Sequence, residues 1–208
     1  MSNIKKINKY YRITVIVKKK LFYFDVPYST DNFISNVLAC IAVTNVLNLN
    51  LIKIKNTFKN FNIPSGRGDI KIVTKFKKRF KFIDESYNAN PLSMLSAIKN
   101  MNNYKIKAKS KKIAFLGDML ELGKKSKKFH KELSKTINES DIHKVFVYGK
   151  YIRETFKNLY KYKKGKVFNN LNEAYYYFSK FINNNDVFMV KGSTATGLNQ
   201  FSKNIKRI

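Results

Sequence analysis

The chain has 208 residues, of which 44% are hydrophobic and 14% aromatic, and this is enough to build a substantial buried core. Its formal net charge is +29, from 42 Lys and Arg against 13 Asp and Glu, a balance that would suit a polyanion such as nucleic acid. No nucleic-acid-binding motif accompanies this charge, and the lysines are spread over nearly every segment together with Asn, Ile, Tyr and Phe. We therefore favour a codon bias towards A and T over a nucleic-acid surface.

The cysteine content and the length of the apolar runs indicate in which cellular compartment the protein folds. The single cysteine, Cys40, lies in an apolar run, so it can form no internal disulfide, and we expect a small buried side chain there. The first six residues are polar or charged apart from Met1 and Ile4, and no stretch approaches the ~20 apolar residues of a membrane-spanning helix. The sequence predicts a cytoplasmic protein without membrane insertion.

The first third of the chain predicts a small α and β segment. Residues 10–26 contain two runs of alternating apolar and polar side chains separated by three lysines, which predicts a hairpin. Residues 32–47 have helical spacing, preceded by the potential caps Ser29, Thr30 and Asp31, and residues 51–61 suggest a second, shorter helix.

Residues 64–68, with the sequence PSGRG, interrupt both patterns. Proline and glycine in such a cluster favour a turn or linker over a helix or strand. We therefore predict a domain boundary here, between residues 1–63 and residues 64–208.

The rest of the chain alternates strands and helices. This alternation predicts an α/β fold, a Rossmann-like and mainly parallel sheet with helices on both faces. In such a sheet, ligands bind at the carboxyl ends of the strands, which are here residues 84–86, 117–118, 149–150 and 191–193. Strands are predicted at 70–74, 79–83, 112–116, 144–148, 166–168 and 187–190, and helices at 92–101, 126–138, 151–160, 171–183 and 195–205.

The loop at residues 84–91, with the sequence DESYNANP, is the most polar of these strand ends. Carboxylates accept hydrogen bonds from ribose hydroxyls, and an Asn side chain both donates and accepts at an adenine edge. The same residues suit a capping loop in which Asn90 or Ser93 caps the following helix. The local pattern alone leaves both interpretations open.

The order of the motifs decides between them. Over residues 64–198 the chain resembles MurF-type Mur ligases, through GRG at 66–68, DESYNANP at 84–91, LGDMLELG at 116–123, a downstream His and VKGS at 190–193. Residues 32–39 are similar to the end of the family's central ATPase domain, but Asn32 stands where the family pattern usually has His. The resemblance implies a C-terminal ligase domain at 64–208, preceded at 1–63 by a remnant of the central domain.

The resemblance also implies a nucleotide site for ATP. Arg67 matches the arginine that reaches the nucleotide phosphates, a task suited to a planar guanidinium. Glu85 matches an acidic position at the ribose, and Asn88 and Asn36 match positions near the adenine.

For the substrate side, the resemblance points to the last strand end. Lys191 and Ser193 are candidate contacts for the carboxylate of D-Ala-D-Ala, although a purely structural turn at Gly192 is an equal alternative. Asp118 either orients substrate or caps the next helix. We expect His130 to be a packing or helix-surface histidine.

In this family, the terminal carboxylate of UDP-MurNAc-tripeptide is phosphorylated by ATP in the presence of Mg²⁺. The amine of D-Ala-D-Ala then attacks the resulting acyl phosphate. The 208 residues contain no GxxxxGK[ST] phosphate loop, and we expect the metal ligands to be missing too. The chain is therefore expected to be inactive alone, with a separate chain as a possible supplier of the remaining parts. The alternatives are a basic nucleic-acid-binding α/β module and the inactive product of a truncated or split gene.

Overall fold

The computed structural model describes residues 3–207, with the side chain of Asn32 left outside the described part. The chain divides into two compact units, Met1–Asn62 and Ile63–Ile208.

The first unit is a three-stranded antiparallel sheet with a helix against one face. The strands β1 (Asn3–Ile7), β2 (Tyr10–Val17) and β3 (Lys20–Val26) pair in that order, and β2 and β3 form the predicted hairpin. The helix α1 (Asp31–Val46) was also predicted. The core of this unit contains Ile13, Val15, Phe24, Val26, Ile34, Val37, Ile41 and Leu51.

Two expectations for the first unit are wrong. Residues 51–60 form successive turns and not a helix, with backbone hydrogen bonds such as Lys53 N–H to Asn50 O and Lys55 N–H to Ile52 O. Ile54 and Phe58 still pack against the core, so the apolar spacing reported burial and not helical hydrogen bonding. Cys40 is exposed, because the buried stripe of α1 follows Ile34, Val37 and Ile41.

The second unit is a six-stranded sheet in the order β4-β5-β9-β6-β7-β8. All neighbouring strands are parallel except β4, which runs antiparallel to β5 at the edge. The predicted mainly parallel α/β fold is confirmed. The strands are β4 (Asp69–Lys75), β5 (Lys78–Glu85), β6 (Lys112–Gly117), β7 (Lys144–Tyr148), β8 (Lys164–Phe168) and β9 (Val187–Lys191), and the helices are α2 (Pro91–Asn102), α3 (Ser126–Glu139), α4 (Ile152–Lys157), α5 (Leu171–Phe181) and α6 (Leu198–Lys206).

Helices cover both faces of this sheet. Every residue of β6 is buried, as is usual for the central strand of a parallel sheet, and neighbouring residues such as Phe115 and Leu116 enter different cores. One core, built with α2, α3 and α4, is mainly aliphatic. The other, built with α5 and α6, is rich in phenylalanine, with Phe178 at its centre.

Two predicted helices have different bounds in the structure. The predicted helix at 151–160 ends at Lys157. The helix predicted at 195–205 begins only at Leu198, because Gly197 has a φ of +81° and separates α6 from a short 3-10 turn at Thr194–Thr196. Within the described residues, no helix combines the length and the apolar character needed to cross a membrane.

Candidate functional site

The polar strand ends predicted from the sequence meet along one edge of the sheet of the second unit. In the strand register Glu85 pairs with Lys191, Leu116 also pairs with Lys191, and Gly117 pairs with Tyr148. The loops that follow β5, β9, β6 and β7 are therefore neighbours at this carboxyl edge.

Lys191 connects two residues of the loop at 84–91. Its side chain is 2% exposed, and its ammonium group lies 3.2 Å from Glu85 Oε2 and 3.0 Å from the carbonyl oxygen of Asn88. The charge of Lys191 is thus paired with a carboxylate of the protein itself. Glu85 keeps a partly exposed carboxylate, and Asn88 is exposed.

Arg67 lies beside the same loop. Its exposed guanidinium stacks over the ring of Tyr87, with 4.0 Å between the guanidinium carbon and the ring centroid. Two backbone hydrogen bonds join the segments, from Gly68 N–H to Asp84 O (2.7 Å) and from Tyr87 N–H to Gly66 O (3.0 Å). Arg67, Glu85 and Asn88 are therefore carried by two loops that are bonded to each other.

Gly66 is required for this approach. Its φ is +83°, and a Cβ at this position would lie 3.0 Å from both the backbone nitrogen and the Cβ of Tyr87. A larger residue would separate the loop of Arg67 from the loop of Glu85.

The two interpretations of the loop at 84–91 apply to different residues. Asn90 caps α2: its side chain accepts the Ser93 N–H (2.8 Å), and the Ser93 hydroxyl accepts the Asn90 N–H (3.0 Å), which completes a capping box. Glu85 and Asn88 take no part in that cap. The cap therefore fixes the end of the loop and leaves these two side chains at its surface.

Asp118 is a helix cap in the structure, but not for the next helix. Its carboxylate accepts the backbone N–H groups of Lys150 (2.9 Å), Tyr151 (2.9 Å) and Ile152 (2.7 Å) at the start of α4. Negative charge is favourable at a helix N-terminus. A substrate contact of Asp118 stays a prediction.

Ser193 joins the loops after β6, β5 and β9. Its backbone N–H donates to Asp118 O (3.0 Å), its hydroxyl oxygen accepts the Leu120 N–H (3.0 Å), and the hydroxyl lies 3.4 Å from Ala89 O. The residue is buried. The hydroxyl already has partners within the protein, and its contact with a dipeptide stays a prediction.

His130 is a buried packing histidine, as expected. Its Nε2 accepts the Met119 N–H (2.9 Å), and its Nδ1 lies 2.7 Å from Ser126 O, so we assign the proton to Nδ1. Burial is the main cause that lowers the pKa of His130, against the opposing effects of the Ser126 carbonyl and Asp118. The imidazole is therefore neutral at pH 7 and holds the loop after β6 on α3.

A basic pocket of about 400 Å³ opens at the carboxyl ends of β7 and β8. Arg153 is oriented there by Gly149 O (3.2 Å) and by Asn169 Oδ1 (2.8 Å). The sequence indicated the strand end at 149–150 but not Arg153, which lies at the start of a short helix and follows no motif. The pocket is lined by Tyr148, Gly149, Lys150, Arg153, Phe168 and Asn169.

Two further residues named by the sequence analysis belong to the first unit. Asn36 is an exposed residue of α1 in the first unit, and the Asn32 side chain is outside the described part.

Among residues 3–207, no group of three or more His, Cys, Asp and Glu side chains could hold a metal ion.

Known proteins with similar sequences are UDP-N-acetylmuramoyl-tripeptide–D-alanyl-D-alanine ligases. The family described as Mur ligase, glutamate ligase domain matches residues 70–194. The UDP-N-acetylmuramoyl-tripeptide–D-alanyl-D-alanine ligase of Buchnera aphidicola subsp. Baizongia pistaciae is 33% identical over 153 residues, which is 74% of this chain and 32% of that protein. The chain spans only about a third of the length of the first curated relatives that it matches.

Solved structures show the same fold. MurF from Acinetobacter baumannii has a TM-score of 0.79 at 19% identity, covering 99% of this chain and 44% of that one. MurF ligase from Thermotoga maritima in complex with ADP has a TM-score of 0.72 at 19% identity, covering 98% of this chain and 46% of that one.

Proposed function

Because the chain belongs to the Mur ligase, glutamate ligase domain family, we propose that it is the part of an ATP-dependent ligase that contacts the nucleotide and the incoming amine. The reaction is the addition of D-alanyl-D-alanine to UDP-MurNAc-tripeptide in cytoplasmic peptidoglycan synthesis. One observation carries the proposal: Arg67, Glu85 and Asn88 lie on two bonded loops at the carboxyl edge of the sheet. The names of the curated relatives support the choice of dipeptide.

The three side chains have the chemistry that ATP requires. The Arg67 guanidinium is exposed and stacked on a ring, so its N–H edge is free to form paired hydrogen bonds with phosphate oxygens. Glu85 has a partly exposed carboxylate that can accept hydrogen bonds from ribose hydroxyls, and Asn88 can donate to and accept from an adenine edge. A role of Asn36 near the adenine stays a prediction from the resemblance, because this residue belongs to the first unit.

The dipeptide carboxylate fits the basic pocket better than it fits Lys191 and Ser193. Lys191 is buried and paired with Glu85, so a carboxylate has little access to its ammonium group. Lys150 and Arg153 line an open pocket, and Arg153 is held by uncharged groups that leave its charge uncompensated. A carboxylate bound there would gain charge-assisted hydrogen bonds.

We propose that the phosphate loop and the Mg²⁺ ligands are supplied by polypeptide outside these 208 residues, either in the same protein or in a separate chain. The phosphoryl group of ATP would pass to the terminal carboxylate of the tripeptide. The amine of the dipeptide would then attack the acyl phosphate and release inorganic phosphate. Residues of this chain would orient the nucleotide and the amine.

The proposal is tested by comparing the chain alone with a fusion protein, in which the 208 residues replace the matching part of the Buchnera aphidicola relative. With ATP, Mg²⁺ and UDP-MurNAc-tripeptide, we expect the chain alone to release no ADP. The fusion protein should release ADP when D-Ala-D-Ala is added, and not when D-glutamate is added. Robust turnover by the chain alone would contradict the need for an external phosphate loop, and turnover with D-glutamate would contradict the choice of amine.

The pocket is tested by replacing Arg153. In the fusion protein, Arg153→Ala should raise the KM for D-Ala-D-Ala by about tenfold or more, because a hydrogen bond to a charged group contributes about 1.5–3 kcal/mol, and the KM for ATP should not change. Arg79→Ala, an exposed arginine at the opposite end of β5, is the matched control. Equal KM values for the dipeptide in both variants would contradict the binding of its carboxylate in this pocket.

A further inference from the structure

The last turn of α6 reaches the loop that carries Arg67. The ammonium group of Lys206 lies 2.5 Å from Asp84 Oδ2, 2.6 Å from Ser65 Oγ and 3.4 Å from Asp69 Oδ2. We call Ser65, Asp69, Asp84 and Lys206 the Lys206 cluster. It joins three parts of the second unit: the loop at 64–68 with the first residue of β4, the end of β5 and the end of α6.

Both carboxylates of the cluster are also tied to the loops that hold the candidate nucleotide contacts. Asp69 Oδ1 accepts the Gly66 N–H (2.8 Å), one residue before Arg67. Asp84 Oδ1 accepts the N–H (3.1 Å) and the hydroxyl (2.6 Å) of Ser86, one residue after Glu85. Lys206 therefore bridges the immediate neighbours of Arg67 and Glu85.

The electrostatics make the ammonium group hard to replace. The side chains of Asp84 and Asp69 are only 2% and 11% exposed, and among the described residues Lys206 is the cation within 4.0 Å of either one. Burial opposes the charge of Lys206, but the hydrogen bond to Asp84 and the charges of Asp84 and Asp69 outweigh it and raise the pKa of Lys206. Without this cation, two carboxylates would face each other in a poorly solvated site.

We infer that Lys206 is a positioning residue, which holds the loop of Arg67 against the strand end of Glu85. The use of this geometry for ATP rests on the proposed function, whereas the geometry itself does not. The side chains of the loop at 64–68 are poorly buried, because Pro64, Ser65 and Arg67 are all exposed. Without the Lys206 cluster, the loop would therefore be held mainly by the backbone hydrogen bonds of Gly66 and Gly68 and by the contact of Arg67 with Tyr87.

The chain offers a clean optical probe for this inference, because it contains no tryptophan. Tyr87→Trp puts a single indole under the guanidinium of Arg67, and quenching of its fluorescence by acrylamide reports how tightly the loop at 64–68 covers it. In the 208-residue chain without substrate, adding Lys206→Met should raise the quenching constant at least about twofold, as expected when a loop opens locally. Lys203→Met, an exposed lysine one turn earlier in α6, should leave it unchanged.

A second control separates positioning from general stability. Ile205→Ala removes a fully buried side chain next to Lys206 and should lower the unfolding midpoint, but it leaves the Lys206 cluster in place and should not change the quenching. The inference is overturned if Ile205→Ala raises the quenching as much as Lys206→Met, or if Lys206→Met behaves like Lys203→Met. If Lys206→Met does not fold, Ser65→Ala replaces it in the quenching experiment, because this substitution removes one partner of Lys206 at an exposed position. Increased quenching would then support the inference, and unchanged quenching would overturn it.

The link to the nucleotide is measured separately in the fusion protein. There, Lys206→Met should raise the KM for ATP severalfold more than it lowers kcat, and Lys203→Met should change neither. Increased quenching together with an unchanged KM would preserve the positioning of the loop and contradict its use for ATP. Unchanged quenching would overturn the positioning itself, whatever the activity.

Discussion

Phe178→Ala is expected to lower the free energy of unfolding of the second unit by about 3–5 kcal/mol, the usual cost of removing a buried phenylalanine ring. The Phe178 ring is fully buried, and its centroid lies 4.7 Å from that of Phe188, 5.0 Å from that of Phe146 and 5.1 Å from that of Phe115. These three partners belong to three adjacent strands. The cavity would therefore open at the centre of the sheet face, where neighbouring side chains cannot collapse to fill it.

Urea denaturation followed by circular dichroism measures this loss. Tyr176→Ala is the matched control on the same helix, since Tyr176 is 64% exposed, and we expect it to cost less than about 1 kcal/mol. If Phe178→Ala also cost less than about 1 kcal/mol, the aromatic core would not be the main source of stability of this unit.

Arg67→Ala is expected to lower ATP-dependent turnover of the fusion protein by about 10²–10³-fold, as is typical when one group that stabilises developing charge is removed. The free energy of unfolding should change by less than about 0.5 kcal/mol in this variant. The Arg67 guanidinium is exposed and contacts the Tyr87 ring, and within the described residues it forms no ion pair with a carboxylate. The substitution therefore removes the contact with the Tyr87 ring but breaks no ion pair.

Arg67→Lys distinguishes charge from shape in the same ADP-release assay. Lysine keeps the positive charge but not the planar pair of N–H donors, so we expect a partial loss of turnover. Arg79→Ala should have the activity of the unmodified fusion protein. Turnover of Arg67→Ala within about threefold of the unmodified protein would mean that Arg67 only covers Tyr87.

The α/β architecture of the second unit could be predicted because strands of a parallel sheet are buried on both faces and read as nearly continuous apolar runs. β6, with the sequence KIAFLG, is such a run and ends at a glycine. β1, with the sequence NIKKI, is too short and polar to be recognised, since it depends on pairing with β2. At residues 51–60 the apolar spacing could not distinguish a helix from a series of turns that buries the same side chains.

The site was predictable as single strand ends but not as a set of contacts. The partner of Glu85 is Lys191, 106 residues away, and they meet only because β9 inserts between β5 and β6. Strand order is not encoded in local periodicity. For the same reason the capping of α4 by Asp118 and the role of Lys206 depend on tertiary structure that no local motif reports.

Activity assays based on ADP cannot separate ligation from unproductive ATP hydrolysis, so the most direct test is the mass of the product formed by the fusion protein. With ATP, Mg²⁺, UDP-MurNAc-tripeptide and D-Ala-D-Ala, we predict that mass spectrometry finds the tripeptide precursor extended by one D-alanyl-D-alanine unit, less one water. A folded fusion protein that leaves the precursor unchanged, or that extends it by a single amino acid supplied in place of the dipeptide, would contradict the proposed function.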